Sequence, residues 1–253
     1  MTSLLGRSLN FAARKLRQLQ LERQFKTEFR QFESMSQAAG VSTPMPWEKS
    51  WALMDDRTAT TGFDTHYVYF PAWAARIIHS TAPALHIDLS STLHFAAIVS
   101  GFVPVEFYDY RPANLRLSNL TTGKCDLTNL HFESNSILSL SCMHVVEHIG
   151  LGRYGDQLDP VGDQRAMQEL IRVLAPGGDL LFAVPIGKPM IVFNAHRIYS
   201  YRQVINAFKD LELKEFSLVP DNAIDVGMIP NPSEAESDHQ DYGCGCFWFK
   251  KPR

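Results

Sequence analysis

Cysteine is scarce. The 253-residue chain holds 4, spaced too irregularly for a secreted disulfide framework, so buried free thiols are expected, with Cys125 and Cys142 in or beside apolar segments. Cys244 and Cys246 alternate on one face of an expected strand, yet no matching Cys or His pair stands elsewhere, so a metal site is not expected. No apolar run approaches the ~18 residues that a membrane-spanning helix needs. Arg14, Lys15 and Arg17 interrupt any apolar leader, which argues against a secretory signal and for a reduced, cytoplasmic setting. A basic surplus is also missing: 24 Lys and Arg against 27 Asp and Glu give a net charge of -3, which argues against a nucleic-acid partner. Internal repeats and low-complexity tracts are absent. What remains is ordinary globular composition, 45% hydrophobic and 20% charged, long enough for one large domain.

Three segments are expected: an amphipathic helix over 1–38, a connecting arm over 39–62 and a folded domain over 63–253. In the first, Leu5, Leu9, Ala12, Leu16 and Leu19 recur at helical spacing, and Leu21, Phe25, Phe29 and Phe32 continue the stripe. Basic residues outnumber acidic ones there. The helix therefore reads either as packed on the domain or on a second copy of itself, or as resting on an anionic membrane face. The arm is polar and Pro-containing, Val41-Ser42-Thr43-Pro44-Met45-Pro46. Beyond it, helices are expected at Tyr67–His79 (interrupted early by Pro71), Leu93–Ser100, Gln164–Leu174 and Tyr201–Phe208, the last with Ser200 as its N-cap. Strands are expected at Ala84–Asp88, Val103–Tyr108, Ile137–Leu140, Asp179–Val184, Leu213–Val219 and Gly245–Lys250, with a long polar insertion over Pro220–Tyr242. Strands alternating with helices predict a mostly parallel, three-layer α/β sheet. In such a sheet, polar residues just past the strand ends border the ligand crevice.

Arg172 to Gly178, followed by an apolar strand ending at Pro185, resembles the post-motif helix and fifth strand of Rossmann-like S-adenosylmethionine (SAM) methyltransferases. The resemblance implies that family's sheet, mostly parallel with an antiparallel final strand, and SAM as cofactor. It sets Asp88 in the acidic place after the first strand, with Ser90 and Ser91 where glycines are usual. Asp109 would meet the ribose hydroxyls; its other reading is a local pairing with Arg111. Asp126 and Leu127 would meet the adenine, unless Asp126 only caps a turn, and Ser141 completes the cofactor series. His144, Glu147 and His148 follow the fourth strand, where the family places groups facing the transferred methyl. His144 is the preferred base, with His148 and His196 as further catalytic candidates, while Glu147 and His148 alternatively brace the loop. Arg153, Tyr154 and Asp156 lie in a Gly-rich loop that reads either as a lid binding a polyol or as a solvated surface segment. Arg197 at the same rim would suit a sugar carboxylate or phosphate.

The run Glu147 to Asp156, with Val184-Pro185-Ile186-Gly187 and Asn194 to Tyr199, resembles a family of bacterial methyltransferase-like proteins known as DUF268, over about Phe63 to Phe249. Association of such proteins with surface-polysaccharide assembly implies an O-methyltransferase acting on a sugar hydroxyl of a polysaccharide or lipopolysaccharide precursor. The expected partners are thus a glycan or small-molecule acceptor, no nucleic acid, and through the first helix either a membrane contact peripheral to the inner face or a second copy. A second account is a non-catalytic scaffold for glycan-assembly enzymes, motivated by the missing glycines. A third sets a divalent metal among Glu147, His148, Asp156 and His196.

Overall fold

A computed structural model describes residues 4–253, with side chains from residue 14 onward. The side chains of Leu5, Leu9 and Ala12 therefore lie outside the described residues. The chain divides into two compact units, Met1–Gly62 and Phe63–Arg253.

In the first unit, helix α1 runs over Leu4–Ala38. The 39–62 segment folds back on it. Trp47, in the 3-10 turn Trp47–Lys49, meets the rings of Phe25 and Phe29 at 5.7 and 4.9 Å. Arg57 grips Glu28 with both guanidinium nitrogens, Nη1 at 2.8 Å. Leu16, Leu19, Phe32 and Met35 stay exposed. No described helix is long and apolar enough to cross a membrane.

The second unit opens with helix α2 (Thr65–Thr81), capped by the Asp64 carboxylate on the Tyr67 N–H. The helix continues through Pro71, because Phe70, Trp73, Ala74, Ile77 and Ile78 anchor one face in the core and offset the single lost backbone bond. Strand β1 (His86–Leu89), helix α3 (Leu93–Val99), β2 (Val105–Asp109), β3 (Leu120–Lys124) and β4 (Ile137–Met143) follow. Helix α4 (Gly162–Val173) leads to β5 (Leu174–Ile186), then the hairpin β6 (Met190–Val192) and β7 (His196–Ile198). Helix α5 (Tyr201–Ala207) carries the expected Ser200 cap, reciprocated by Gln203. Strand β8 (Glu212–Val219), α6 (Ala223–Val226), β9 (Ile229–Pro230), α7 (Glu234–Asp238) and β10 (Gly243–Lys250) complete the chain.

The main sheet has the order β3-β2-β1-β4-β5-β10-β8-β9. Strands β1 to β5 pair in parallel, while β10 is antiparallel to both β5 and β8. The three-layer, mostly parallel sheet with an antiparallel final strand is therefore present. Local detail differs from expectation. The Pro176-Gly177-Gly178 stop is a bulge inside β5, where Ile137 pairs Leu174 but Ser139 already pairs Asp179. Gly177 takes φ +79° there, and a Cβ on Gly178 would lie 2.9 Å from the Ile137 carbonyl. The expected polar insertion after β8 holds two short helices and an edge strand.

One face of the sheet buries Phe182, Phe208, Phe216, Phe247 and Phe249; the other packs against α2 and α3 through Phe70, Trp73, Phe95 and Val99. Phe182 is fully buried, 4.8 Å from the Phe208 ring. Truncating it removes both the transfer energy and the packing, so Phe182→Ala should cost about 3–5 kcal/mol in denaturant unfolding. A loss below about 1 kcal/mol would mean that this layer is loosely packed.

Candidate active site

The chain leaves β1 toward β2 and β3 on one side, then returns to place β4 and β5 on the other. That reversal opens a crevice at the carboxyl ends of β1 and β4. A cavity of about 570 Å³ lies there, and Ser90, Asp109, Asp126 and His144, the residues at or just past the ends of β1, β2, β3 and β4, all line it. Leu127, His148, Tyr154 and Asp156 line it too.

Beneath the cavity the sheet is cross-linked by buried polar groups. Ser141 and Ser91 both donate hydroxyl bonds to Asp88 Oδ1, each at 2.6 Å. His86 lies between Ser139 and Ser141, at 2.8 and 2.9 Å. Because the Ser141 proton is given to Asp88, His86 Nε2 must donate to Ser141 and Nδ1 must accept from Ser139. Burial lowers the pKa of His86 to about 3, keeping it neutral. Burial likewise raises the Asp88 pKa to about 7 against the pull of its two serine partners, and its Oδ2 meets no donor. Asp88, Ser91 and Ser141 were expected to touch cofactor. They are buried under the turn, do not line the cavity, and shape it instead.

Ser90 does line it. Its φ is +63°, the left-handed conformation that glycine adopts without strain, and its hydroxyl donates to the Tyr108 carbonyl at 2.9 Å. The turn thus keeps a glycine-like path with a serine in it.

Asp109 accepts the Arg111 backbone N–H through Oδ1 at 2.7 Å. The pairing is with the main chain; the Arg111 guanidinium lies over the Tyr154 ring, 4.4 Å from its centroid. Asp126 accepts the Thr128 N–H and hydroxyl through Oδ1, at 2.8 and 2.7 Å. Among the described residues no donor reaches Oδ2 of either acid. Arg111, Thr128 and Arg165 also line the cavity and were not expected there. Arg111 stood out in sequence only as a partner for Asp109.

The histidines separate by their contacts. His144 lines the cavity, but Nδ1 meets Glu147 Oε1 at 2.9 Å and Nε2 meets Cys244 Sγ at 3.3 Å. Burial opposes charge on this ring, while Cys244 and Glu147 raise its pKa, to about 10. A ring with both nitrogens engaged cannot take a proton from substrate, which corrects the preference for His144 as base. His148 is better disposed. Nδ1 donates to the Ala195 carbonyl at 2.6 Å, so Nε2 carries the lone pair. Burial lowers its pKa and keeps it neutral. His196 lies on β7, half-buried against Tyr242 and away from the cavity lining.

The acceptor-side expectations divide in the same way. Tyr154 lines the cavity. Asp156 also lines it, but its carboxylate accepts the N–H groups of Gly150, Gly152 and Tyr154, so it holds the loop instead of a polyol. Gly150, at φ +77°, has no room for a Cβ beside the Asp159 carbonyl, which makes this loop a packed structure and not a loose lid. Glu147 is fully buried on His144 and His148. Arg197 is 4% exposed and donates to the carbonyls of Glu147, Ile149 and Pro160, beside Asp163 at 3.5 Å. Neither can reach a substrate. Arg153 is exposed, outside the lining, and shares the Ala195 carbonyl with His148. Glu147, His148, Asp156 and His196 do not form a metal-ligating group.

The sheet order, parallel except for β10 and the two-residue edge strand β9, matches that of Rossmann-like methyltransferases. Solved structures that resemble this chain in fold include two enzymes. One is the 1,6-didemethyltoxoflavin-N1-methyltransferase of Burkholderia thailandensis, with 1,6-didemethyltoxoflavin and S-adenosylhomocysteine bound; it is 11% identical, with a TM-score of 0.52 over 91% of this chain and 90% of that one. The other is the N-methyltransferase NodS of Bradyrhizobium japonicum WM9 in complex with S-adenosylhomocysteine, 14% identical, with a TM-score of 0.51 over 84% and 94%. At these identities the likeness establishes the fold. Residues 116–236 match the family described as "Caenorhabditis protein of unknown function, DUF268". That description names Caenorhabditis and not bacteria, where the family resemblance had set the chain. No curated protein matches the sequence.

The buried carboxyl gives a pH test. Asp88 titrates at about 7 in the folded protein against an ordinary 3.8, so the folded state binds this proton more tightly than the unfolded one. Its contribution to stability is therefore full below about pH 4 and declines as pH rises through about 7. Asp88→Asn should remove that decline, making the variant gain on wild type between about pH 5 and pH 8 in denaturant titrations. A constant difference across that range would mean that Asp88 is ionised throughout.

Proposed function

We propose that the second unit is a SAM-dependent O-methyltransferase acting on a hydroxyl of a small polyhydroxylated acceptor, a sugar or glycan precursor being the expected class. The observation that carries this reading is the pair of carboxylates ending β2 and β3, each with one oxygen unclaimed, on one cavity of about 570 Å³. That volume suits a nucleoside cofactor together with part of an acceptor.

The residues present fit such a cofactor. Asp109 Oδ2 can accept the ribose hydroxyls, and Asp126 Oδ2 can accept an adenine amino group beside the apolar Leu127. The left-handed Ser90 lets the backbone approach where a glycine would ordinarily be needed. Bound SAM supplies an electrophilic methyl group on its sulfonium. His148, neutral, lining the cavity and holding on Nε2 the lone pair that Arg153 Nη1 approaches at 3.5 Å, is the group that would take the proton of an attacking hydroxyl. Tyr154, held under the Arg111 guanidinium, gives the acceptor a phenol to hydrogen-bond and a face to pack on. Alignment and exclusion of water then supply most of the rate. The scaffold account rested on the missing glycines; Ser90 takes the φ of a glycine and keeps a Cβ, so the binding test below decides between the two readings.

Calorimetry with S-adenosylhomocysteine tests the reading. Wild type should bind saturably, and Asp109→Ala and Asp126→Ala should each weaken binding roughly tenfold to a hundredfold, the value of a charge-assisted hydrogen bond. Ser90→Gly should bind at least as well as wild type, because it relieves strain of about 1 kcal/mol. Absence of saturable binding at millimolar ligand would refute the proposal and favour a scaffold. With an acceptor in hand, His148→Gln should lower kcat at least about 100-fold while leaving cofactor affinity unchanged.

A further inference from the structure

We propose that His66, His144 and Cys244 form a zinc site, independent of whether SAM binds. Three distant parts of the chain converge here: the first turn of α2, the residue after β4 and the second residue of β10. One ligating atom from each residue lies within 4.8 Å of the others, and all three residues are buried. In sequence the Cys244-Cys246 pair lacked partners. The fold supplies Cys244 with two histidines 100 residues and more away in the chain, while Cys246 stays outside the cluster.

One edge of the cluster has the spacing of a coordination sphere, and the remaining ligating atoms, all within 4.8 Å, would draw in to complete it. Zinc bonds of about 2.1 Å to nitrogen and 2.3 Å to sulfur at a tetrahedral angle separate those atoms by about 3.5 Å. His144 Nε2 and Cys244 Sγ stand 3.3 Å apart. Behind His144, Glu147 Oε1 accepts from Nδ1 at 2.9 Å, the carboxylate-histidine arrangement that orients a metal-bound imidazole.

Charge balance points the same way. Glu147 is wholly buried, and its Oε2 has no hydrogen-bond partner. A buried carboxylate needs compensating positive charge close by, which either a protonated His144 or an ion bound beyond it supplies. A divalent ion bound by one thiolate adds net positive charge on the other side of His144. Aromatic rings enclose the cluster, Phe70 5.2 Å from the His144 ring and Tyr242 stacked on His66 at 5.1 Å, and the Cys246 thiol lies 3.7 Å from Cys244 Sγ. Two imidazoles and a thiolate select a borderline-soft ion, which favours zinc over magnesium or calcium. His144 also borders the cavity, which gives the ion a route in.

The test measures metal content. Wild-type protein should retain about one zinc per chain after desalting, by mass spectrometry of the metal. Cys244→Ser and His66→Gln should lose it, whereas Cys125→Ser, whose thiol is outside the cluster, should keep it. Because either ligand variant could fold poorly, cobalt(II) is added to metal-stripped wild type as a second measurement. A thiolate-to-cobalt charge-transfer band with tetrahedral visible absorption is the expected result. No retained zinc together with no such band, or full retention in Cys244→Ser, would overturn the proposal and leave the three residues as a hydrogen-bonded cluster.

Discussion

A chain of buried hydrogen bonds crosses the sheet where its strand order reverses, and the cavity above depends on it. Ser139, His86, Ser141, Asp88 and Ser91 are linked in series, and Ser91 in turn accepts the Met143 N–H at 3.1 Å. The series fastens β1 to β4, the two strands that pair through only Ile87–Leu140 and Asp88–Ser141. Each bond is worth about 1 kcal/mol net, but losing one partner strands a buried polar group at about 1–3 kcal/mol. The network therefore specifies one register more than it adds stability. A register slip would separate the turn carrying Ser90 from the loop carrying His144 and His148.

The polar residues around the crevice accordingly divide by what they can still reach. Asp88, Ser91, Ser141, Glu147 and Arg197 are buried and bond only to the protein, Asp88 and Glu147 each through one carboxylate oxygen. Asp109, Asp126, His148 and Tyr154 retain an atom or face toward the cavity they line. Rigid elements hold the second group: strand ends for the acids, and for His148 a 3-10 turn (Val146–His148) braced by the Ala195 carbonyl. Such support is what a site needs if alignment is its main contribution.

Much of the fold was legible in sequence because burial there follows period. The apolar runs of β1, β4 and β5 and the Ser200 cap of α5 are local signals. Strand β3 was not legible: Leu120-Thr121-Thr122-Gly123-Lys124 is a polar edge strand with a glycine, and only pairing with β2 makes it a strand. The β6–β7 hairpin was missed because Met190, Ile191 and Val192 are exposed, so their hydrophobicity reports no core. Among site residues, Asp109 was legible from its place after the second expected strand, and Asp126 only through the family resemblance. Arg197 was misread because an arginine near a rim looks the same in sequence whether it meets a ligand or buried carbonyls. His66 carried no local signal at all; its partners come from the far ends of two strands.

If a nucleoside occupies the crevice above β1 to β4, gripped by the two acids past β2 and β3, a crystal structure with S-adenosylhomocysteine should show ribose density against Asp109 and adenine density between Asp126 and Leu127, with Ser90 still left-handed. Side chains closing that hollow, or ligand density elsewhere, would rule the proposed site out.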